Sequence, residues 1–430
     1  DLSKLSYFHA PGKEPLLPWT VGELIDRAAD STGDTTAIVS THQNISKTYT
    51  QYRGDVDQLA AGLVSLKLPV GSKVAFLSPR LYQGAQLLYA ASKAGLVMVG
   101  IHAHCTLHEL EICLNKRETI CLNADLIYGF GRTIGVLSAT IFGSTVVMPG
   151  TVFAPKVVLE AIEKHRCTTV YGSPSMFSNI LRELEEGSYD VSSVRKGLVS
   201  GSLCPPGIVE KAKAKLNVQR FYIMYGSAEC SPIFSSTNPD EPTDRWIKTV
   251  GTPLDHVEVK VVDAQGRIVP VNTKGELCTR GPHVFKGYLN DDAMTKEAIR
   301  DNWYHTGDEG TISEEGRITF LGRIKEVIAH VGVNVSPLEI ENLLNTHPDV
   351  EEAQVIGVPD ESVGENICAW IKLKTEKTLT QEDIQAFCEG KLHSFKIPKF
   401  VLFVDTFPRT QTGKVQKHKM REESKRLLNL

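Results

Sequence analysis

Residues 74–99 read VAFLSPRLYQGAQLLYAASKAGLVMV and place an amphipathic stretch between two apolar runs. Residues 74–77 and 96–99 have the length and composition of buried strands, whereas residues 82–94 carry apolar side chains at helical spacing. A strand followed by a helix and a second strand predicts parallel strands with the helix packed across them. The same alternation continues on both sides of this stretch, so the sequence predicts a layered α/β fold.

The pattern changes after residue 256. Short alternating runs at 257–262, 275–280 and 317–320 are separated by turn residues such as Ala264-Gln265-Gly266. Strand patterns of this length that follow one another without helical stretches favour hairpins. We therefore expect a small β-rich subdomain after the layered region.

Composition excludes several classes of protein. The 430 residues are 41% hydrophobic and 23% charged, which is typical of a globular chain long enough for two or three domains. A net charge of −4 with scattered basic residues argues against nucleic-acid binding. The sequence contains no apolar run near the roughly 20 residues that span a bilayer, so we expect no integral membrane segment.

Cysteine usage and the first residue bear on the compartment. Nine cysteines without paired spacing favour reduced thiols and an intracellular location. The chain begins at Asp1 and not at Met, so we expect any targeting peptide to lie outside it. The sequence does not predict an oligomeric state.

A group of histidines and cysteines between residues 102 and 121 is a candidate zinc site. It includes His102, His104, Cys105 and His108, and imidazole and thiolate are the ligands that zinc prefers. The spacing H-x-H-C-x2-H is not a standard zinc motif. The favoured interpretation is a surface turn that enters a helix over residues 107–114.

Three polar loops carry residues suited to binding an anion or a sugar. Asp308 follows Thr306 and Gly307 on a tight turn, where a carboxylate can accept hydrogen bonds from a diol or lie near a cation. Arg323 follows a glycine at a strand end, where its planar fork suits phosphate or ribose. Lys414 lies in the loop 407–415, FPRTQTGKV, between a proline and a valine. Taken singly, each is equally compatible with a cap or a solvated surface residue.

Taken together, these loops resemble one superfamily over residues 16–430. Five motifs occur in the order seen in acyl-adenylate-forming enzymes, which comprise acyl-CoA synthetases, peptide-synthetase adenylation domains and beetle luciferase. Within that superfamily the C-terminal residues are most similar to the medium-chain acyl-CoA ligases. The motifs are Tyr225-Gly226-x-x-Glu229, Tyr304-x-Thr306-Gly307-Asp308, Gly322-Arg323-x-Lys325, Asn334-x-x-Pro337-x-Glu339-Ile340-Glu341 and Pro408-Arg409-Thr410-x-x-Gly413-Lys414.

The resemblance implies a site for ATP. It places the Asp308 carboxylate on the ribose hydroxyls, with Arg323 assisting. It also places the loop from Tyr225 to Glu229 against the adenine, with Glu229 supporting Mg²⁺ through the nucleotide. The residues implied to bind the nucleotide are Ser202, Tyr225, Gly226, Glu229, Asp308 and Arg323.

The resemblance also implies a two-step reaction. Lys414 would lie between the acid carboxylate and the α-phosphate as acyl-AMP and pyrophosphate form, stabilising the developing charge. Lys325 would be the hinge about which a small C-terminal domain turns, bringing the Gly332 loop to the side where coenzyme A binds. Coenzyme A, as co-substrate, would then displace AMP to give the thioester.

One motif of the family is absent from the sequence. The Ser/Thr/Gly-rich loop that ends in Pro-Lys and cradles the ATP phosphates does not occur. Where it is expected, residues 115–118 run directly into the strand pattern 120–122. On the order of a hundred residues, the size of a subdomain, are expected to be missing there. Such a loss is expected to expose apolar faces that other elements ought to cover.

These observations predict an α/β protein with a large, layered but incomplete N-terminal region, a β-rich subdomain and a small mobile C-terminal α+β domain. The expected divisions are 1–116, 117–254, 255–321 and 322–430. The predicted activity is ATP-dependent ligation of a medium-chain fatty acid to coenzyme A in fatty acid metabolism, with a mitochondrial location implied by resemblance. Two alternatives stay open: a catalytically impaired relative that acts as a binding or scaffold protein, and an enzyme that adenylates another carboxylate, as luciferase-like and aryl-acid enzymes do.

Overall fold

The computed structural model describes residues 5–12, 16–74, 81–98, 118–124, 126, 129–202, 204–330, 333–360, 362–409, 415–428 and 430. Its strands are β1 Tyr7–Ala10, β2 Thr36–Ser40, β3 Ile45–Thr48, β4 Lys73–Val74, β5 Val97–Met98, β6 Thr119–Cys121, β7 Thr145–Met148, β8 Thr169–Gly172, β9 Lys196–Val199, β10 Arg220–Tyr225, β11 Ser235–Ser236, β12 Thr252–Pro253, β13 Val257–Val262, β14 Gly275–Arg280, β15 Ile299–Arg300, β16 Trp303–Ile312, β17 Ile318–Arg323, β18 Ile328–His330, β19 Val333–Val335, β20 Val350–Asp360, β21 Gly364–Leu373 and β22 Phe400–Phe403.

Helices alternate with these strands through the first half of the chain. The α-helices are Val21–Thr32, Tyr49–Ser65, Tyr82–Lys93, Ser138–Phe142, Pro155–His165, Pro174–Glu186, Pro206–Lys215, Thr243–Trp246, Asp292–Ala298, Pro337–Leu344, Gln381–Cys388 and Lys417–Leu428. A π-helical segment, Phe130–Leu137, precedes the helix at Ser138. None of the helices in the described part of the chain combines the length and the apolar character needed to cross a membrane.

Of the strand–helix–strand unit predicted for residues 74–99, the helix and the ends of both strands are present, whereas residues 75–80 and 99 lie outside the described residues. Strands β4 and β5 pair in parallel, with Lys73 opposite Val97, and the helix Tyr82–Lys93 connects them. That helix buries Leu88 and Tyr89 because its apolar residues recur on one face. Exposed apolar side chains flank the strand pair: Val64, Leu66, Leu68, Val70 and Val97.

Within the described residues, the largest sheet has nine strands in the order β12-β11-β10-β9-β8-β6-β7-β2-β3. The strands from β10 to β2 in that order pair in parallel, as the alternating sequence predicts. Strands β2 and β3 come from residues before 116 and lie in the same sheet as strands after 117. The proposed division at 116/117 therefore runs through one sheet.

Strand β6 joins this sheet directly after a buried ion pair. Glu118 is 3% exposed and lies 3.1 Å from the ammonium of Lys196, which is 4% exposed. Arg195 approaches the other carboxylate oxygen at 2.9 Å, and the hydroxyl of Thr168 also donates to it. Because Glu118 precedes β6 and Lys196 begins β9, the pair fixes the start of the central strands.

The β-rich region forms a second sheet. Among the described residues it has six strands in the order β1-β13-β14-β16-β15, with β17 paired to β16, and every pairing is antiparallel. The strands expected at 257–262, 275–280 and 317–320 are present, whereas β16, which pairs with β14 and β17, and the N-terminal edge strand β1 were not predicted.

The C-terminal region packs helices on both faces of a five-stranded sheet of described residues, in the order β19-β18-β21-β20 with β22 on β21. One face buries Val355 and Ile367 under the helices Pro337–Leu344 and Gln381–Cys388. The other face buries Trp370 under Met420 of the helix Lys417–Leu428. Side chains on β20 and β21 alternate between these two cores because successive residues of a strand point to opposite faces. The chain thus has the predicted α/β class, with a large N-terminal and a small C-terminal domain.

Candidate active site

Two parallel strands of the nine-stranded sheet end at one edge and carry candidate residues there. Strands β9 and β10 pair in parallel from Arg220 opposite Lys196 to Ile223 opposite Val199. Ser202 follows the end of β9 and is exposed, and Tyr225 is the last residue of β10. Since carboxyl ends of neighbouring parallel strands share an edge, the fold brings Ser202 and the Tyr225 loop to the same rim.

Asp308 is the centre of the site. Its side chain is only 7% exposed, and one carboxylate oxygen, Oδ2, accepts a hydrogen bond of 2.6 Å from the Tyr225 hydroxyl. Burial raises the pKa of Tyr225 well above its ordinary value, and the Asp308 carboxylate raises it further. The tyrosine therefore stays a hydrogen-bond donor at neutral pH.

Arg323 reaches the same carboxylate from the neighbouring strand. Asp308 on β16 lies opposite Arg323 on β17, and the arginine Nε is 2.9 Å from Oδ1. The Arg323 side chain is 51% exposed, whereas the Asp308 side chain is 7% exposed. The guanidinium therefore joins a buried carboxylate to the solvent-facing side of the site.

Asp308 lies within strand β16 and not on the tight turn that the sequence predicts, because the strand stays paired on both sides of an irregularity at Gly307. Gly307 has φ +69°, a conformation that L side chains rarely adopt, and Thr306 anchors this irregularity through a 2.7 Å hydrogen bond to the carbonyl of Leu277. The Asp308 amide also donates to the Thr306 hydroxyl at 3.1 Å. The Thr-Gly-Asp sequence thus fixes the backbone that carries the carboxylate.

The loop after β10 contains Gly226 and Glu229. A Cβ at Gly226 would lie 2.5 Å from the carbonyl oxygen of Pro232, so only glycine fits that position without a backbone shift. Glu229 is half-buried, and its Oε1 accepts a 2.9 Å hydrogen bond from the Tyr288 hydroxyl. Burial and the Glu229 carboxylate together raise the pKa of Tyr288 to about 12. Tyr288 was not predicted, since nothing in its local sequence indicates this contact.

The candidate hinge lies where the chain leaves one sheet for another. Lys325 is exposed in the 3-10 turn Ile324–Glu326, which connects β17 of the six-stranded sheet to β18 of the five-stranded sheet. The next residue, Glu326, lies 3.1 Å from the ammonium of Lys417, and Lys417 also lies 2.7 Å from Glu341. This ion triad ties the turn to two helices of the C-terminal domain.

Two predicted site residues lie outside the described residues: Lys414 and Gly332. The residues on either side of 410–414 are described, and Arg409 and Val415 form an antiparallel bridge there. The Gln416 amide donates to the carbonyl of Pro408 at 2.8 Å. The candidate zinc residues His102, His104, Cys105 and His108 also lie outside the described part of the chain.

The fold therefore joins three of the predicted residues by direct contact, namely Tyr225, Asp308 and Arg323. It places Ser202, Gly226 and Glu229 on the same side of the sheet, and it places Lys325 on the connection between sheets. The sequence did not indicate the Tyr225–Asp308 hydrogen bond, because the two residues are 83 positions apart.

Comparison with known proteins supports a family. The model of the AMP-binding enzyme family matches residues 25–122 and 114–289, which is more than half of the chain. The model of the AMP-binding enzyme C-terminal domain matches residues 339–414. The two matches of the first model overlap at 114–122, where the sequence predicts an internal loss.

Curated relatives extend over the whole chain. A mitochondrial medium-chain acyl-CoA ligase, ACSF2, from Danio rerio is 30% identical over 554 aligned positions, covering 99% of this chain and 91% of the relative. The human protein of the same name is 39% identical over 307 positions, covering 71% of this chain and 50% of the relative.

The zebrafish alignment is longer than this chain. It has 554 positions, whereas this chain has 430 residues, so at least 124 positions have no counterpart here. The size of this difference agrees with the prediction that a segment is missing near residue 117, and so does the overlap of the family matches.

Solved structures share the fold. ATP-bound MatB from Rhodopseudomonas palustris has a TM-score of 0.85 and 22% identity, covering 95% of this chain and 100% of that one. This likeness concerns the architecture alone. Taken with the family matches over residues 25–289 and 339–414, it completes the assignment: this chain belongs to the AMP-binding enzyme family, the adenylate-forming ligases that include the acyl-CoA synthetases.

Proposed function

We propose that this protein is an ATP-dependent fatty acid:CoA ligase with a preference for medium-chain acids. The observation that carries the proposal is the Asp308 carboxylate, held by Tyr225 and Arg323 at the edge where β10 ends, in a chain that belongs to the adenylate-forming ligases. Medium chain length and a mitochondrial location are supported by the names of the relatives.

In this proposal the nucleotide lies against the carboxyl edge of β9 and β10. Asp308 accepts hydrogen bonds from the ribose hydroxyls, and the exposed guanidinium of Arg323 donates to the nucleotide beside it. Gly226 lets the loop backbone pass close to Pro232, which brings the Tyr225 loop against the adenine. Ser202 lies on the same rim and is free to donate to a phosphate.

Glu229 fits a magnesium-linked role. One of its oxygens, Oε1, accepts from Tyr288, which holds the side chain in place. Carboxylate oxygen is the ligand that Mg²⁺ prefers, and the Tyr288 hydrogen bond occupies Oε1 and not Oε2. Mg²⁺ bound with ATP supplies charge neutralisation at the phosphates, and the chain's own contribution is to orient this carboxylate.

Lys414 is proposed as the catalytic residue of adenylate formation. Its ammonium would stabilise the charge that develops as the acid carboxylate attacks the α-phosphate, with pyrophosphate leaving. Turning about Lys325 would then withdraw Lys414 and present the Gly332 loop for coenzyme A. The thiolate of coenzyme A attacks the acyl carbonyl, the thioester bond forms, and AMP leaves.

The test isolates the first half-reaction. Protein shown to melt cooperatively is assayed for octanoate-dependent exchange of radiolabelled pyrophosphate into ATP. We expect exchange that is abolished by Lys414→Ala and kept by Lys419→Ala, a matched exposed lysine on the following helix. Transfer to coenzyme A is then measured as octanoyl-CoA.

Two other outcomes would overturn the proposal. Exchange with benzoate and not with octanoate would indicate an aryl-acid enzyme. Folded protein without exchange would indicate that the internal gap has removed the chemistry, leaving a binding or scaffold protein. This second reading has a specific observation in its favour, since at least 124 aligned positions, expected to include the phosphate-binding loop, are missing.

A further inference from the structure

A cluster of three different metal-binding side chains lies beside the candidate active site. Glu276 and Cys278 are two residues apart on β14, and His305 lies opposite Cys278 on β16. One ligand atom from each of the three lies within 4.8 Å of the other two. A carboxylate, a thiol and an imidazole thus converge from two neighbouring strands.

The distances suit a small cation. Nδ1 of His305 is 2.8 Å from Oε2 of Glu276 and 3.3 Å from Sγ of Cys278. Tetrahedral zinc, with bonds of roughly 2.0–2.3 Å, holds its ligand atoms about 3.3–3.6 Å apart. The two distances from Nδ1 would therefore have to lengthen by only a few tenths of an ångström.

The backbone already orients the carboxylate. The other oxygen of Glu276, Oε1, accepts a 3.1 Å hydrogen bond from the Gly307 amide, which leaves Oε2 directed at His305. Side chains held by hydrogen bonds of this kind bind metals more tightly than side chains without them, because they are already oriented toward the metal position.

A cation is already present in the cluster. The guanidinium of Arg300 lies 2.6 Å from Nδ1 of His305 and 3.3 Å from Oε2 of Glu276. Nδ1 therefore lies beside both an anion and a cation. With a proton it can donate to Glu276 but not accept from Arg300, and without one it can accept from Arg300 but not donate to Glu276. The Arg300 side chain is 55% exposed, so it can turn to solvent and leave its place to a metal ion.

We propose that Glu276, Cys278 and His305 bind a divalent transition metal of the zinc type, with water as the fourth ligand. As the metal–sulfur bond forms, the Cys278 thiol releases its proton to solvent. Thiolate and imidazole select zinc or cobalt over magnesium and calcium, which prefer oxygen ligands. The site begins the segment that leads through Gly307 to Asp308, so the bound metal would hold that turn. This inference does not depend on the ligase activity.

The test uses Co²⁺ added to the reduced, metal-free full chain without an affinity tag. Binding to Cys278 gives a thiolate-to-Co²⁺ charge-transfer absorption. We expect Cys278→Ser to abolish that absorption and His305→Ala to weaken binding by about 100-fold or more, since even an outer partner of a ligand is worth 10–100-fold. Cys368→Ser, at another buried free cysteine, is the matched control and should leave the absorption unchanged.

Two further variants keep the proposal falsifiable if Cys278→Ser does not fold. Arg300→Gln removes an exposed competing cation and should tighten Co²⁺ binding by about two- to fivefold. Cys105→Ser addresses the separate group of histidines and cysteines at residues 102–108. Absorption lost with Cys105→Ser would overturn the proposal, and so would weaker binding in Arg300→Gln.

Discussion

Replacing Lys417 by methionine tests the ion triad that ties the hinge turn to the C-terminal domain. The Lys417 side chain is 18% exposed and lies 2.7 Å from Glu341, which is 9% exposed, and 3.1 Å from Glu326, which is 39% exposed. Methionine keeps the length of the side chain and removes the charge. Glu341 would then be a buried carboxylate that keeps, among the described residues, a 2.8 Å hydrogen bond from the Val355 amide.

The expected cost follows from this geometry. Removing one partner of a buried ion pair costs about 3–5 kcal/mol, because the other charge stays buried without compensation. We expect about 3 kcal/mol for Lys417→Met, since Glu326 returns to solvent and Val355 still supports Glu341. Adding Glu341→Gln removes the stranded charge and should recover about 1–2 kcal/mol.

The effect should depend on pH in one direction. Burial lowers the pKa of Lys417, but the carboxylates of Glu341 and Glu326 outweigh burial and raise it. A raised lysine pKa stabilises the folded state fully below the unfolded value, about 10.4, and the contribution is lost as pH rises through the folded pKa. The difference in unfolding free energy between the wild type and Lys417→Met should therefore shrink above about pH 10.4.

The measurement is urea unfolding followed by the fluorescence of Trp370. Trp370 packs against Met420 on the helix that begins at Lys417. The signal from the other tryptophans is removed by comparison with Trp370→Phe. A loss below about 1 kcal/mol for Lys417→Met would refute the reasoning, as would a double variant no more stable than the single one.

Two other predictions concern the site and the central sheet. Asp308→Asn should weaken ATP binding by about 10- to 100-fold, because hydrogen bonds to a charged group are worth about that much. The affinity is measured by calorimetry without acid substrate. An equal loss of affinity in Asp405→Asn, at an exposed aspartate, would contradict this prediction. Lys196→Met should cost about 3 kcal/mol in urea unfolding, because it leaves Glu118 buried with Arg195 as its remaining cation. Burial raises the pKa of Glu118, but the Thr168 hydroxyl and Lys196 lower it overall. The difference in unfolding free energy between the wild type and Lys196→Met should therefore decrease as pH falls below about 4.3. A pH-independent difference would show that the pair is not ionised.

The local sequence pattern predicted which helices and strands form better than it predicted which strands pair with one another. The predicted helix around Tyr82–Lys93 is present, because amphipathic periodicity acts within a few residues. Strand β1 was missed since its register, Tyr7 opposite Lys260, is set by a strand about 250 residues away. No local signal encodes such a pairing.

The candidate active site likewise consists of residues that the local sequence indicates and of contacts that it does not. Asp308 and Arg323 each stand out on a turn or strand end, but their contact depends on the register of β16 with β17, which shifts at Glu309 and Gly310. A shift of one residue would move a side chain to the other face. Glu276, Cys278 and His305 were likewise ordinary residues in the sequence and became a cluster only through strand pairing.

The position of the internal gap explains how the chain keeps so much of its fold. It falls between β5 and β6, which belong to different sheets, and β6 begins with Glu118 bound to Lys196 in the centre of the larger one. The nine-stranded sheet is therefore built from residues on the C-terminal side of the gap together with the hairpin β2–β3, and the sheet that carries Asp308 from residues on that side together with β1. Exposed Val70 and Val97 lie at the β4–β5 pair, on the N-terminal side of the gap. Since the phosphate-binding loop is expected within the gap and Asp308 lies outside it, ATP binding through Asp308 and exchange through Lys414 have to be measured separately.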